Sequence, residues 1–374
     1  MNYFRRGTLS ALVNCTRSKP HTSSSTRLIS TSMSGSLYSE AWLTGAGSTE
    51  FYTRTYTPKD SPPKAAIVFV HGFAEHIGRY THFHPQLAAK GVSVFAFDQR
   101  GFGLTAQDTT GKKSKSSSYG KTSIKEQMSD IAWAVEHAKK TFANTPMFLM
   151  GHSMGGGEVL WFGTQGENGP HKSTLDSLSG IIATSPMILQ TTPVSKVTRW
   201  VGGKLSVVLP TTLIPTPLNE SDLSHDPNVG ATYAKDPLVR LQGTLKGVND
   251  MMSSGEALVK SAYSKWAKNT PVLIIHGTED KVTSCQASKD FYEKIPATKK
   301  KLSLFEGGYH ELQNEPDGVQ EKLANEIITF IEEHSAQATT RVPDAEVTEQ
   351  AAETMVTAQA STEPGTADFV KAKM

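Results

Sequence analysis

Six short apolar runs constrain the fold of this chain more than any other feature: residues 66–70, 93–97, 147–150, 180–184, 272–276 and 302–305. They are nearly continuous in Val, Ile, Leu and Phe. A strand with one wet face alternates polar and apolar residues, so runs without alternation belong to strands covered on both sides. Between the second and third runs, Ile124, Met128, Ile131 and Val135 recur at helical spacing, and Ser123 followed by Glu126 forms a capping-box pattern ahead of them. Strand-then-helix order, repeated, predicts an α/β fold: a mostly parallel, doubly wound central sheet with helices on both faces. Residues 41–44 and 51–57 alternate more strongly and are expected as antiparallel edge strands.

Charge divides the chain into three parts. Of 374 residues, 37% are hydrophobic and 20% charged, with a formal net charge of +2. That mix excludes collagen-like, coiled-coil and wholly disordered chains and disfavours a basic nucleic-acid binder. Residues 1–35 hold five basic and no acidic side chains, among thirteen Ser and Thr. This composition fits a mitochondrial targeting segment or a plain disordered arm, and Met33 offers a second start that would omit it. Residues 336–374 hold three basic and six acidic side chains and few large apolar ones, so a disordered acidic tail is expected. The body, 36–335, has 30 of each sign and is neutral. Cys15 and Cys285 cannot make a disulfide framework. No apolar run reaches the roughly 18–20 residues that span a bilayer, so membrane association would be peripheral.

Residues 187–260 break the rhythm, being far longer than a crossover helix needs. Val194, Val197, Val201, Leu205 and Val208 lie three and four apart with Trp200 beside them, before Pro210, Pro215 and Pro217. Such a stripe is either core packing or a helical cap over the C-terminal edge of the sheet, where open α/β sheets bind ligands.

The strongest chemical signal is Gly151-His152-Ser153-Met154-Gly155, between the third run and a helix beginning near Gly156. G-x-S-x-G in that setting places a serine on a tight strand-to-helix turn, where a Cβ on either glycine would clash. The hydroxyl stands at a helix N-terminus, whose dipole favours developing negative charge. A serine nucleophile needs a base and an orienting carboxylate, in the order Ser, acid, His, from loops after later strands. Asp280 follows the fifth run and His310 the sixth; Glu279 is a rival for the acid. His71-Gly72-Phe73 follows the first run, with His71 expected to brace its loop. The backbone N–H groups of Phe73 and Met154 are the expected oxyanion donors, each contributing roughly 3 kcal/mol of transition-state stabilisation. Asp98-Gln99-Arg100-Gly101-Phe102-Gly103 lacks any phosphate-loop pattern and is expected as a buried Asp98–Arg100 pair on a tight turn. Lys112, Lys113 and Lys115 read as a solvated loop.

Together these residues resemble the monoglyceride lipases of the α/β-hydrolase superfamily, most closely their fungal branch. The pattern H-G-x-x-E-H-x-x-R-Y stands at residues 71–80, F-D-x-R-G-x-G at 97–103 and G-H-S-M-G-G at 151–156; Asp226-Pro227 and Asp236-Pro237-Leu238 fit the family's cap-to-sheet segment. The similarity spans roughly 38–334. It implies hydrolysis of monoacylglycerol, or a related lipid ester, to free fatty acid and glycerol, with neither cofactor nor metal. Glu75, Arg79 and His152 are the implied head-group residues. An apolar cap docking on a membrane or lipid droplet, facing the cytosol, is implied too; the basic arm adds mitochondrial association. Phe73 stands where animal members often have a small residue, which bears on acyl-pocket shape. Thr283 stands where some have cysteine, so thiol sensitivity is not expected. A lysophospholipase, a broad carboxylesterase or an acyltransferase would share these motifs, and a non-catalytic ligand-binding protein on the same fold is a remote alternative. Oligomeric state is not encoded in any of these patterns.

Overall fold

The computed structural model describes residues 37–335. The expected targeting arm and acidic tail lie outside the described residues. The hairpin β1 (Ser39–Thr44) and β2 (Glu50–Tyr56) comes first. Strands and helices then alternate through β3 (Ala65–Val70), α1 (His84–Ala89), β4 (Val92–Phe97), α2 (Gly103–Gln107), α3 (Ile124–Thr141), β5 (Met147–His152), α4 (Met154–Gly163), α5 (Lys172–Asp176) and β6 (Gly180–Thr184). The inserted segment holds α6 (Lys196–Val208), β7 (Leu213–Pro215), α7 (Pro227–Lys235), β8 (Gln242–Thr244) and α8 (Leu245–Lys260). The chain returns to the sheet with β9 (Val272–Gly277), α9 (Cys285–Lys294), β10 (Lys300–Phe305) and α10 (Val319–Ser335).

Eight strands form one sheet in the order β1-β2-β4-β3-β5-β6-β9-β10. Pairing is parallel from β4 through β10 and antiparallel at β1–β2 and β2–β4. Only β1 of the first two strands is an edge; β2 is enclosed, because Thr53–Tyr56 pairs with Val94–Phe97. Cover on both faces explains the first five apolar runs; the sixth does not meet that expectation, because β10 is the other edge of the sheet and is only partly covered, with Leu304 38% exposed. On one face, Ala66, Val68 and Val70 of β3 belong to the same buried cluster as Ile131 of α3, Val159 of α4 and, farther along the sheet, Phe291 of α9. The alternate residues Ala65, Ile67 and Phe69 pack with Leu87, Ile327 and Phe330 of α1 and α10.

The capping box at α3 is only half formed. Ser123 Oγ accepts from the Glu126 N–H at 3.4 Å, but the Glu126 carboxylate takes the Ser123 hydroxyl proton rather than a backbone one. The Asp98–Arg100 pair does not form. Buried Asp98 accepts backbone N–H groups from Ile77 (2.9 Å) and Leu104 (2.6 Å), one on each oxygen. Arg100 instead grips Asp130 on α3 with two bonds, at 2.9 and 2.7 Å.

The inserted segment is a cap. The ribbon of β7 and β8 rests on the loop before α3, with Thr244 Oγ1 donating to Gly120 O at 2.7 Å, and α8 packs on α4. The stripe on α6 is not core: Val197, Trp200 and Val208 are 65–75% exposed, and Val194, Val201 and Leu205 41–45%.

The nucleophile turn joins β5 to α4 under severe crowding. A Cβ on Gly151 would fall within the contact radius of Gly155 O, and a Cβ on Gly155 within that of the Val70 carbonyl. Gly155→Ala is therefore expected to cost about 3 kcal/mol or more, the upper range for over-packing. Gly202→Ala on α6, where a Cβ meets nothing within 4 Å, is expected to be neutral or to stabilise by up to about 1 kcal/mol. Thermal melts of the two variants check this; an unshifted melt for Gly155→Ala refutes it.

Candidate active site

Ser153 sits between β5 and α4 at φ 54°, ψ −117°, a conformation that non-glycine residues rarely hold. Three backbone hydrogen bonds hold it: Ser153 N–H to Thr184 O (3.0 Å), and Ser153 O accepting from Met187 N–H (2.7 Å) and Gly157 N–H (2.9 Å). The loops after β9 and β10 bring the other two groups to the same sheet edge. His310 Nε2 lies 3.0 Å from Ser153 Oγ, and His310 Nδ1 lies 2.8 Å from Asp280 Oδ2. The exposed Glu279 is not part of this chain of contacts. Asp280 is buried and well supplied with donors: Oδ1 accepts from Val282 N–H (2.8 Å) and Thr283 N–H (2.9 Å). His276 Nε2 stands 3.1 Å from Oδ2, and Thr283 Oγ1 2.8 Å.

These contacts set the charges. Burial alone would push the Asp280 carboxyl up, but the His310 charge and the hydrogen bonds from His276 and His310 outweigh it and hold it far below the usual range. Burial works against the His310 cation, yet the Asp280 carboxylate raises its pKa above the ordinary 6.5. Asp280 can only accept, so neutral His310 carries its proton on Nδ1 and turns the Nε2 lone pair to the serine hydroxyl.

His71 organises the neighbouring loop. Its Nε2 accepts from Gln99 N–H at 2.8 Å, which leaves Nδ1–H to donate to Gly72 O at 2.8 Å. Burial lowers its pKa to about 4, so it stays neutral. In a trans peptide, C=O and N–H point in opposite directions. Anchoring Gly72 O on His71 therefore turns the Phe73 N–H the other way. Among the described residues neither the Phe73 nor the Met154 N–H has an acceptor, and a Cβ on Gly72 would stand 3.1 Å from Ser153 Cβ.

Glu75 and Arg79 belong to a buried cluster whose third member, Glu311, carries no sequence signal of its own. Arg79 donates from one terminal nitrogen to Glu75 Oε2 (2.7 Å) and Glu311 Oε1 (2.6 Å), and from the other to Glu311 Oε2 (2.8 Å). Glu75 Oε1 also accepts from Gly72 N–H (2.5 Å) and Tyr80 Oη (2.7 Å). The Tyr233 ring of α7 lies 4.7 Å from the guanidinium. Burial would raise the Glu311 pKa, but Arg79 pulls it well below the usual range. His152 is buried beside them, with Nδ1 3.1 Å from Thr184 Oγ1 and its ring centre 5.0 Å from that of His310. Burial first, then the His310 charge, lowers its pKa to about 3. Asp236 from the cap-to-sheet segment bonds His76 Nε2 at 2.9 Å, tying the cap to this loop.

Phe73, Glu75, Arg79, His152, Ser153, His310 and Glu311 open into one cavity of about 580 Å³. Ser153, His310 and the charged cluster line it together with the apolar Ile214, Leu218, Leu241, Val248 and Met251 of the cap. Among the described residues, no group of three or more His, Cys, Asp or Glu side chains could hold a metal ion.

A Ser-His-Asp chain at the C-terminal edge of this sheet, under an inserted cap, defines a serine hydrolase of the α/β-hydrolase fold. A family model described as "Serine aminopeptidase, S33" matches residues 61–317. The chain belongs to that family, within its monoglyceride-lipase-like, ester-hydrolysing members. It is 32% identical over 293 residues to a relative from Schizosaccharomyces pombe, covering 78% of this chain and 73% of that one. A monoacylglycerol lipase of Mycolicibacterium smegmatis is 28% identical over 311 residues, covering 81% and 100%. A solved structure of a soluble variant of the Saccharomyces cerevisiae monoglyceride lipase, in complex with a substrate analog, superposes with a TM-score of 0.69 at 26% identity, covering 79% and 94%.

Arg79 is 11% exposed, and Glu75 and Glu311 are 4% and 3% exposed. Arg79→Met strands two buried carboxylates, so it is expected to lower stability by about 3–5 kcal/mol. Urea unfolding measures this, and a loss below about 1 kcal/mol would contradict the arrangement.

Proposed function

We propose that the protein hydrolyses monoacylglycerols to free fatty acid and glycerol through an acyl-enzyme on Ser153. The observation that carries this reading is the shared cavity. It brings a serine hydroxyl, 3.0 Å from an imidazole, together with hydrogen-bonding groups fit for a small polyol and apolar cap side chains fit for an acyl chain. His310, oriented by Asp280, takes the Ser153 proton as Oγ attacks the ester carbonyl. The Phe73 and Met154 N–H groups receive the oxyanion. The tetrahedral adduct then expels glycerol, protonated by His310. Water, deprotonated by the same imidazole, releases the fatty acid. Glu75, Arg79 and His152 bind the head group in this scheme. Relatives named as monoacylglycerol lipases support the substrate.

Hydrolysis of monooleoylglycerol tests the assignment. Ser153→Ala is expected to lose at least about 10⁴-fold in kcat, and retained activity would sink it. Asp280→Asn is expected to lose about 10⁴-fold. The base works only when neutral, so activity falls as pH drops through the raised His310 pKa. The acid limb should therefore lie above 6.5 and move to lower pH in Asp280→Asn.

The exposed face of α6 supports peripheral docking on a membrane or lipid-droplet surface. No helix among the described residues is long and apolar enough to cross a membrane. Trp200→Glu with Val207→Glu should release the protein from phosphatidylcholine vesicles in sedimentation, with unchanged turnover of a water-soluble short-chain ester. Undiminished vesicle binding would exclude this face.

A further inference from the structure

We infer that Glu311 sets the head-group selectivity of the site by charge: it makes the cavity accept uncharged polyol esters and reject phosphate-bearing ones. The inference rests on the monoacylglycerol reading above and names which related esters that site refuses.

A lone buried arginine beside the nucleophile would attract phosphate, because its planar fork matches phosphate oxygens two at a time. In this protein the fork is already taken. Both terminal nitrogens of Arg79 bind Glu311, at 2.6 and 2.8 Å, and the first also binds Glu75 at 2.7 Å. Tyr233 covers the guanidinium at 4.7 Å. Two carboxylates against one guanidinium leave one negative charge in excess, and all three side chains are at most 11% exposed, so water screens it little.

The hydrogen-bonding character agrees with the charge. Carboxylates only accept. Glycerol brings hydroxyl donors, whereas a phosphate group brings further acceptors and negative charge. The cluster cannot easily turn aside to receive them. Glu311 is held by Asn314 Nδ2 at 2.6 Å and by its own N–H on Leu223 O at 2.8 Å. Glu75 is held by Gly72 and Tyr80. Of the other charged side chains of the cavity, Arg199 binds Glu256 at 3.0 Å, and Lys281, half exposed, lies 3.3 Å from Tyr309 Oη and 3.9 Å from Asp222, itself a lining carboxylate that offsets its charge. Glu311 directly follows His310, and Glu75 binds the residue packed against Ser153. The excess charge therefore stands where the head group must lie while the ester is attacked.

The experiment compares kcat/KM of the full chain for 1-oleoylglycerol, 1-oleoylglycerol 3-phosphate and 4-nitrophenyl butyrate, at low salt. Wild type should prefer the glycerol ester to its phosphate by at least 100-fold. Glu311→Gln leaves Glu75 and Arg79 as a balanced pair and should narrow that ratio at least tenfold, through KM for the phosphate ester. Equal rates on the two esters in wild type, or an unchanged ratio in a folded variant, overturn the inference while leaving monoacylglycerol hydrolysis intact. Cleavage of the nitrophenyl ester with neither glycerol ester overturns the monoacylglycerol reading and this inference with it. Should the variant not fold, wild type decides alone. Glycerol 3-phosphate should inhibit nitrophenyl ester turnover at least tenfold more weakly than glycerol, and equal inhibition overturns the inference.

Discussion

The strained backbone at Ser153 is the constraint on which the rest of the site depends. A non-glycine residue at φ 54° costs about 1–3 kcal/mol. Its N–H and C=O make three hydrogen bonds, to Thr184, Met187 and Gly157, each worth about 1 kcal/mol net, so the turn is held at little overall cost. The same turn brings α4 almost against β3 and β5, and that approach excludes a Cβ at both Gly151 and Gly155. Strand order, glycine placement and serine exposure are one geometric requirement.

The acid end solves a different problem. A carboxylate buried as deeply as Asp280 is costly unless its lone pairs are met. Val282 and Thr283 N–H occupy one oxygen; His310, His276 and the Thr283 hydroxyl gather at the other. Thr283 has one hydroxyl proton and two acceptors in reach, Asp280 Oδ2 at 2.8 Å and Ser185 O at 3.0 Å. A residue noted in the sequence only for not being cysteine thus borders the carboxylate that orients His310.

What could be read in the sequence was what short-range physics encodes. Strands enclosed on both faces leave unbroken apolar runs, and a nucleophile turn leaves two glycines around a serine, so the sheet and Ser153 were visible together. Loops after β9 and β10 could be placed at the edge where Ser153 stands, which singled out Asp280 and His310. Partner choice across the fold left no such trace. Nothing near Asp98 or Arg100 reveals that one caps two backbone segments while the other reaches Asp130 on α3. Nothing near Glu311 reveals Arg79. The α6 stripe has the spacing of a core helix, and only what covers it, or fails to, distinguishes the two. β2 alternates as an edge strand would, yet pairing with β4 encloses it.

The oxyanion loop and the head-group cluster are joined through a single residue. Gly72 gives its carbonyl to His71 and its N–H to Glu75, so the orientation of the peptide that carries the Phe73 N–H depends on both. His71 is buried and neutral, a weak, uncharged anchor. The Glu75 side is charged, and Glu75 shares one terminal nitrogen of Arg79 with Glu311. A head group that draws on Glu75 or Arg79 must therefore alter the forces on Gly72 as well. In the proposed reaction, polyol binding at this cluster and donor alignment at the reacting carbonyl would share one hydrogen-bonded path, the coupling by which interactions remote from the scissile bond are expressed in the transition state rather than in affinity alone. The apolar side chains of the cap reach the donor residues by packing instead: Met251 and the Phe73 ring pack against the buried cluster that holds Ala74, Phe102, Tyr119 and Met154.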